Sequence, residues 1–358
     1  MSFETGTATD QEDLLVKWFN FLQANGWTAD VDYAASGQSP AFGVIQRKVD
    51  LASPLGSDPG NEVNLHCGYG IGTSGVDGDL TQIIPMRDYV SGAPNNAVEV
   101  ATSTTAYSST SGHIRTTYPS SPFEKYWFFE SDYYAHAVVE YAAGKFRHFG
   151  MGQLNKIGKW YGGEYYYGSY WAQGAAFIET KLYNGHVVGL DSVADFSTIA
   201  TCMYGQLSPG VPFPDLAGRQ SPESAWHAFT AANDSGSGIG TDADGRDRGA
   251  AFSNGFRGGF HYPLYWSGQI SFNGYRPMFP IHVWAKYSGS NPDNYTPLGT
   301  QPDIRTMSME GDLQPGDEFT IGPDTWVAFP VANKRVTFVA DDTEQSGLLG
   351  VAYKKVTT

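Results

Sequence analysis

The first regular pattern in the chain is helical. Thr9-Asp10-Gln11-Glu12 has the form of a capping box, in which a Thr N-cap and a Glu three residues later satisfy two free backbone N–H groups. Leu14, Leu15, Trp18, Phe21 and Leu22 follow at helical spacing, and Asn25-Gly26 supplies a C-terminal stop. The spacing predicts a helix from about Asp10 to Ala24, with its apolar stripe on a sheet or a partner subunit.

After Gly26 the pattern changes to short apolar or alternating runs bounded by Gly, Pro, Asn and Asp, which read as strands. They are Ala41–Asp50, Val63–Tyr69, Ala97–Thr105, Tyr126–Phe129, His136–Tyr141, Lys145–Phe149, Ala176–Tyr183 and His186–Leu190. Farther on come Gln269–Phe272, Ile281–Tyr287, Glu318–Ile321, Thr325–Pro330, Val336–Val339 and Gly350–Val356. Asn184-Gly185 and Asn273-Gly274 carry the type I′ hairpin signal, and Ala142–Lys145 reads as a four-residue hairpin loop. A second, weaker helix is predicted from Ser221-Pro222-Glu223 to about Ala232. Asn233–Gly249 and Ser288–Pro302 lack periodicity and read as long loops. Soft boundaries near 120 and 305 divide the chain into 1–120, a Tyr/Gly-rich block 121–305, and C-terminal hairpins 306–358. The expected fold class is mainly β, a β-sandwich or jelly-roll-like core with hairpins, long loops and one N-terminal helix.

Composition sharpens this picture. The chain has 358 residues with 43 Gly, 20 Pro, 22 Tyr and 9 Trp, and only 16% of its residues are charged. So many aromatics exclude a disordered chain, and so few charges exclude a coiled coil. The net charge of −15 disfavours a nucleic-acid partner and keeps unassembled subunits soluble. No apolar run is long enough to span a bilayer as a helix, and Met1-Ser2-Phe3-Glu4 has no signal-peptide character. The two cysteines, Cys67 and Cys202, suit a reducing compartment.

Candidate chemistry is sparse. Gly70-Ile71-Gly72-Thr73-Ser74-Gly75 matches a dinucleotide-loop spacing, but no helix pattern follows it. Asp242-Ala243-Asp244-Gly245-Arg246-Asp247 lacks the first ligand and the closing Glu of a calcium loop. The eight histidines, His66, His113, His136, His148, His186, His227, His261 and His282, form no zinc spacing. Glu124, Glu130, Glu140 and Glu164 lie in the aromatic block and are the candidates for a glycosidase pair. No catalytic residue, metal ligand or cofactor is assigned.

The aromatic block is the unusual feature. Between Tyr118 and Trp171 lie ten tyrosines together with Trp127, Trp160 and Trp171. Such residues serve subunit interfaces, sugar stacking or a core. The interface candidates are Trp18, Tyr134, Arg147, His148, Trp160, Tyr161, Tyr165, Tyr167 and Trp171. Arg147 and His148 serve either a neighbour or a local network. Glycines among these aromatics, Gly150, Gly152, Gly158, Gly162, Gly163 and Gly168, suggest tight loops on a sheet edge.

Tyr134-Ala135-His136-Ala137-Val138-Val139-Glu140-Tyr141 resembles the "HVVVE" strand of a family of virion structural proteins of tailed bacteriophages. Phe146-Arg147-His148-Phe149-Gly150-Met151-Gly152 and then Lys156-Ile157-Gly158-Lys159-Trp160-Tyr161-Gly162-Gly163-Glu164-Tyr165 resemble its "RHFGFG" and "K.G.W.GG.Y..G". The opening helix ending in Asn-Gly-Trp, and the stretch Leu313-Gln314-Pro315-Gly316-Asp317-Glu318-Phe319 with Ile321, Gly322, Trp326, Phe329 and Pro330, resemble its two ends. The resemblance implies a virion component of the tail, baseplate or neck, made in the bacterial host cytoplasm. It implies a homo-oligomer of three- or six-fold related symmetry in contact with other virion proteins. A virion-borne module that binds a host glycan through Trp160 and Trp171 is the alternative, and a glycan hydrolase a further one.

Overall fold

The structure is a computed structural model. It describes residues 1–33, 42–50, 62–74, 78–86, 88–89, 97–98, 114–118, 121–168, 201–206, 226–228, 230–231, 256–258, 277–286, 295–309, 311–330 and 349–355. Strand β1 (Ser2–Ala8) precedes helix α1 (Gln11–Ala24), and β2 (Thr28–Val31), β3 (Phe42–Asp50), β4 (Glu62–Ser74) and β5 (Gly78–Met86) follow. Then come β6 (Asp88–Tyr89), β7 (Ala97–Val98), β8 (Ile114–Tyr118), β9 (Phe123–Ser131), β10 (Tyr134–Ala142), β11 (Lys145–Gln153), β12 (Asn155–Lys156) and β13 (Tyr161–Gly168). The remainder are β14 (Thr201–Gln206), β15 (Trp226–Ala228), β16 (Thr230–Ala231), β17 (Phe256–Gly258), β18 (Phe279–Lys286), β19 (Tyr295–Ser308), β20 (Glu318–Ile321), β21 (Asp324–Pro330) and β22 (Leu349–Lys355). The fold among the described residues is mainly β with one helix, as the pattern predicts.

Among the described residues, three large sheets carry the architecture. A seven-stranded sheet runs β1-β9-β10-β11-β13-β14-β15. An eight-stranded sheet runs β16-β17-β18-β19-β22-β21-β20, with β12 added beside β19. A five-stranded sheet runs β2-β3-β4-β5-β8, and β6 pairs with β7.

The seven-stranded sheet is the middle layer, and its side chains alternate between two cores, as period-two geometry requires. Tyr126, Phe128, Ala135, Ala137, Val139, Phe149, Met151 and Tyr166 share one core with the helix residues Leu14, Leu15, Trp18 and Leu22 and with Ile45, Leu65 and Tyr69 of the five-stranded sheet. Trp127, Phe129, Tyr134, Val138, Phe146, Tyr165 and Tyr167 share the other with Ile304, Val327, Phe329, Val351 and Tyr353 of the eight-stranded sheet. A sheet covered on both faces shows continuous rather than alternating burial. Strands β10, β11 and β13 accordingly read as nearly unbroken buried runs.

The helix spans the predicted residues, but its cap is shifted by one. Asp10, not Thr9, is the N-cap, its carboxylate accepting from the Asp13 N–H at 2.8 Å. The Asp13 carboxylate reaches back past the cap and accepts from the Thr9 N–H at 2.9 Å. Trp18 is fully buried and meets Phe128 and Phe149 edge-on at 4.9 and 5.4 Å.

Other expectations change. Within the predicted helix 221–232, the described residues form strand β15 on β14 and strand β16 on β17, so ladder pairing overrides helical propensity there. The loop expected over 288–302 is largely strand β19, which pairs with β18 and β12. Its register shifts against β18 between Pro280 and His282 and between Val283 and Trp284, and Asp303 has φ 55. Pro297 and Pro302 are tolerated in such an irregular strand, which leaves no alternation to read. The boundary at 305 therefore falls inside a strand, and that at 120 is bridged by the β1–β9 ladder. Gly70–Ser74 continues β4 toward a hairpin that closes at the Ser74–Gly78 pair. The β10–β11 hairpin closes at Ala142–Lys145 around Ala143 and Gly144, the latter at φ 73. The hairpin signals at 184–185 and 273–274, the loop 233–249, the 242–247 motif and the runs 176–183, 186–190, 269–272 and 336–339 lie outside the described residues.

Candidate functional site: a buried histidine–tyrosine cluster

Face alternation places His136 of β10, His148 of β11, and Tyr165 and Tyr167 of β13 on the side that meets the eight-stranded sheet. Tyr353 of β22 and the Pro330 carbonyl of β21 approach from opposite. His136 Nδ1 lies 2.9 Å from the Tyr167 hydroxyl and its Nε2 3.4 Å from the Tyr165 hydroxyl. His148 Nδ1 lies 3.0 Å from the Tyr353 hydroxyl and its Nε2 3.0 Å from the Pro330 carbonyl oxygen. The Tyr167 and Tyr353 hydroxyls are 3.5 Å apart and close the chain between the two imidazoles. Tyr134 stacks on His136 at 4.7 Å and 15°.

The chemistry fixes a proton position at His148. A carbonyl only accepts, so His148 Nε2 carries the proton and donates it to Pro330. In the neutral ring Nδ1 then accepts from the Tyr353 O–H. At His136 each ring nitrogen faces a tyrosine hydroxyl, Tyr167 at Nδ1 and Tyr165 at Nε2, and a hydroxyl serves as donor or acceptor, so both neutral tautomers satisfy the pair. Burial holds His136 well below the usual imidazole range, with neighbouring His148 adding to the effect. Burial likewise pushes Tyr134, Tyr165, Tyr167 and Tyr353 upward. The cluster is thus a buried hydrogen-bonded chain of imidazoles and phenols.

Two glycines make room for it. Gly150 pairs with His136 across the ladder. A Cβ there would stand 2.5 Å from the Ala135 carbonyl oxygen and 2.7 Å from His136 Nδ1. A Cβ on Gly152 would overlap the Tyr165 ring. The His-Phe-Gly-Met-Gly spacing is therefore a bare strip in mid-sheet on which rings lie, and the sheet-edge docking loop expected there is corrected for these two positions.

Seven of the nine interface candidates are buried within the chain. Trp18, Tyr134, His148, Tyr165 and Tyr167 are all at most 1% exposed, so they serve cores rather than a surface. Arg147 is buried under Tyr141, its guanidinium 4.7 Å from the ring centroid. Trp160 is buried and donates its indole N–H to the Leu298 carbonyl at 3.3 Å, which removes it as a platform for sugar. Tyr161 is half-buried against the helix-side core, and Trp171 lies outside the described residues. Of the nine, the structure brings Tyr134, His148, Tyr165 and Tyr167 into one cluster. His136 was visible only as a motif histidine, and Tyr353 carried no signal at all.

The glutamates are dispersed in role. Glu124 is exposed, and Glu140 caps its own hairpin by accepting from the Gly144 N–H at 2.8 Å. Glu164 is buried. Glu130 is buried, accepts from the Trp27 indole N–H at 3.2 Å and pairs with Arg47. Burial raises the Glu130 carboxyl above its ordinary value, and Arg47 pulls it back only in part. Arg47 also pairs with Asp132 and donates to the Asn25 carbonyl at 2.9 Å, which ties helix end, β3 and β9 together.

Among the described residues, no group of His, Cys, Asp and Glu is arranged to hold a metal ion. No helix among them is long and apolar enough to cross a membrane. The chain matches no known protein-family profile and no curated protein.

Proposed function

We propose that the chain is a structural component of a tailed-phage virion, assembled with copies of itself in a ring or other symmetric oligomer of the tail, baseplate or neck. The observation that carries this reading is how the segments that bear the resemblance meet in space. Trp18 of the opening helix packs on Phe149 of the "RHFG" strand. His148 of that strand bonds to Pro330, and Trp127 packs on Phe329 at 4.9 Å, so the C-terminal stretch reaches the same strands. A likeness spread over start, middle and end thus falls on one packed unit, which suits a whole-protein resemblance better than a borrowed module.

The role is mechanical. Three layers of sheet closed around two aromatic cores give a stiff block. The net charge of −15 keeps free subunits apart until assembly. Since the aromatic cluster serves the interior, contacts between subunits fall to other surfaces. Immunogold labelling of intact particles with an antibody to the chain tests the reading. Label on the tail, baseplate or neck is expected; particles that carry none overturn it.

A further inference from the structure

We infer that the joint between the seven-stranded and eight-stranded sheets is an acid-sensitive latch, opened when the buried ring of His136 takes up a proton. This goes beyond the proposed function and does not depend on it. His136 is fully buried, and the groups that face it among the described residues are phenols and a second imidazole, with no carboxylate. They are Tyr134 on its own strand, His148 on β11, Tyr165 and Tyr167 on β13, and Tyr353 on β22. The nearest carboxylates act one step away: Asp303 of β19 and Glu130 of β9 bear on Tyr134, and Asp303 also bears on Tyr165. Each is already engaged, Asp303 with Lys354 and Glu130 with Arg47.

A proton on His136 therefore creates a buried cation with no carboxylate beside it among the described residues. Both ring nitrogens of the cation then donate, Nδ1–H to Tyr167 and Nε2–H to Tyr165, and the Tyr167 proton turns to Tyr353 across the 3.5 Å gap while Tyr353 keeps donating to His148. The donors are satisfied but the charge stays dry, and burial without pairing is costly. Water reaches the ring by the least disruptive route if the cover on the Tyr353 side lifts. That cover is β22 with β21, held to the central sheet at this point by His148, Tyr353 and the Pro330 carbonyl.

Hydrogen exchange read by mass spectrometry on the full chain, from pH 7.5 to 5 and corrected for intrinsic rates, tests the latch. Peptides covering β21 and β22 are expected to lose protection about tenfold per pH unit below about 6.5, the slope of one proton taken up on opening. Peptides covering β3 and β4 in the five-stranded sheet are expected to keep theirs. His136→Gln retains a donor and an acceptor but cannot titrate, and its β21–β22 protection is expected to be flat over the same range. Loss of protection in all sheets together, no loss at all, or an unchanged slope in His136→Gln overturns the inference. If that variant does not fold, the contrast between β21–β22 and β3–β4 in the unmodified chain decides.

Discussion

His148 and Tyr353 are 205 positions apart in sequence, yet their side chains share a 3.0 Å hydrogen bond and their rings lie 18° from parallel at 5.9 Å. This contact joins the strand of the most distinctive motif to the last strand of the chain. Tyr353→Phe keeps the ring packing and removes only the hydroxyl. It strands a buried imidazole nitrogen, and the expected loss is about 1–3 kcal/mol in urea denaturation. Tyr133→Phe, at a 40% exposed residue, is expected to stay within about 0.5 kcal/mol of the parent.

Two glycines separate steric need from backbone need. Gly150→Ala sets a methyl group 2.5 Å from the Ala135 carbonyl and against His136, and neither a ladder backbone nor a packed ring can give way. It is expected to cost more than about 3 kcal/mol or prevent folding. Gly144→Ala meets nothing within 4 Å and bears only the strain of φ 73, about 1–2 kcal/mol. Thermal melts of the two variants check the ranking.

Arg47→Met removes the main partner of a buried carboxylate. The expected loss is about 3 kcal/mol at pH 7, the low end for breaking a buried pair. The pH dependence has a definite sign. Burial raises Glu130 above 4.5, so the folded chain binds protons more tightly than the unfolded one, and stability falls as pH rises from 4.5 through the folded value. Without Arg47 that window widens upward. The deficit relative to the parent is expected to be smaller at pH 5 than at pH 7, as measured by denaturation at both.

Lys156 offers a chemical readout. Burial lowers its ammonium to about 8, and its nitrogen donates to the Trp160 and Gly162 carbonyls at 2.6 and 3.2 Å. A neutral amine has enough hydrogens for both. The rate of acylation at Lys156, followed by peptide mass spectrometry, is expected to level off above about pH 8.5, whereas a lysine in a free peptide keeps accelerating toward its pKa of about 10.4.

The local half of the fold was legible in the sequence. Helix α1 and strands β3, β9, β10, β11, β20, β21 and β22 follow from spacing and turn residues, because each is set by contacts within a short stretch. Strand β19 was missed because two prolines and a changing register erase its alternation. The cluster was missed for a different reason. Motif residues such as Tyr165 and His148 looked like surface aromatics because a strand read alone does not show that both its faces are covered. Tyr353 reached them only through the order β19-β22-β21, a long-range pairing that no local pattern encodes.

If this chain is built into a particle, as proposed, its copies there are countable. Quantitative peptide mass spectrometry on purified particles, with heads and tails separated, is predicted to find the chain in the tail or neck fraction at a small multiple of three or six per particle. Its absence from mature particles would contradict the account.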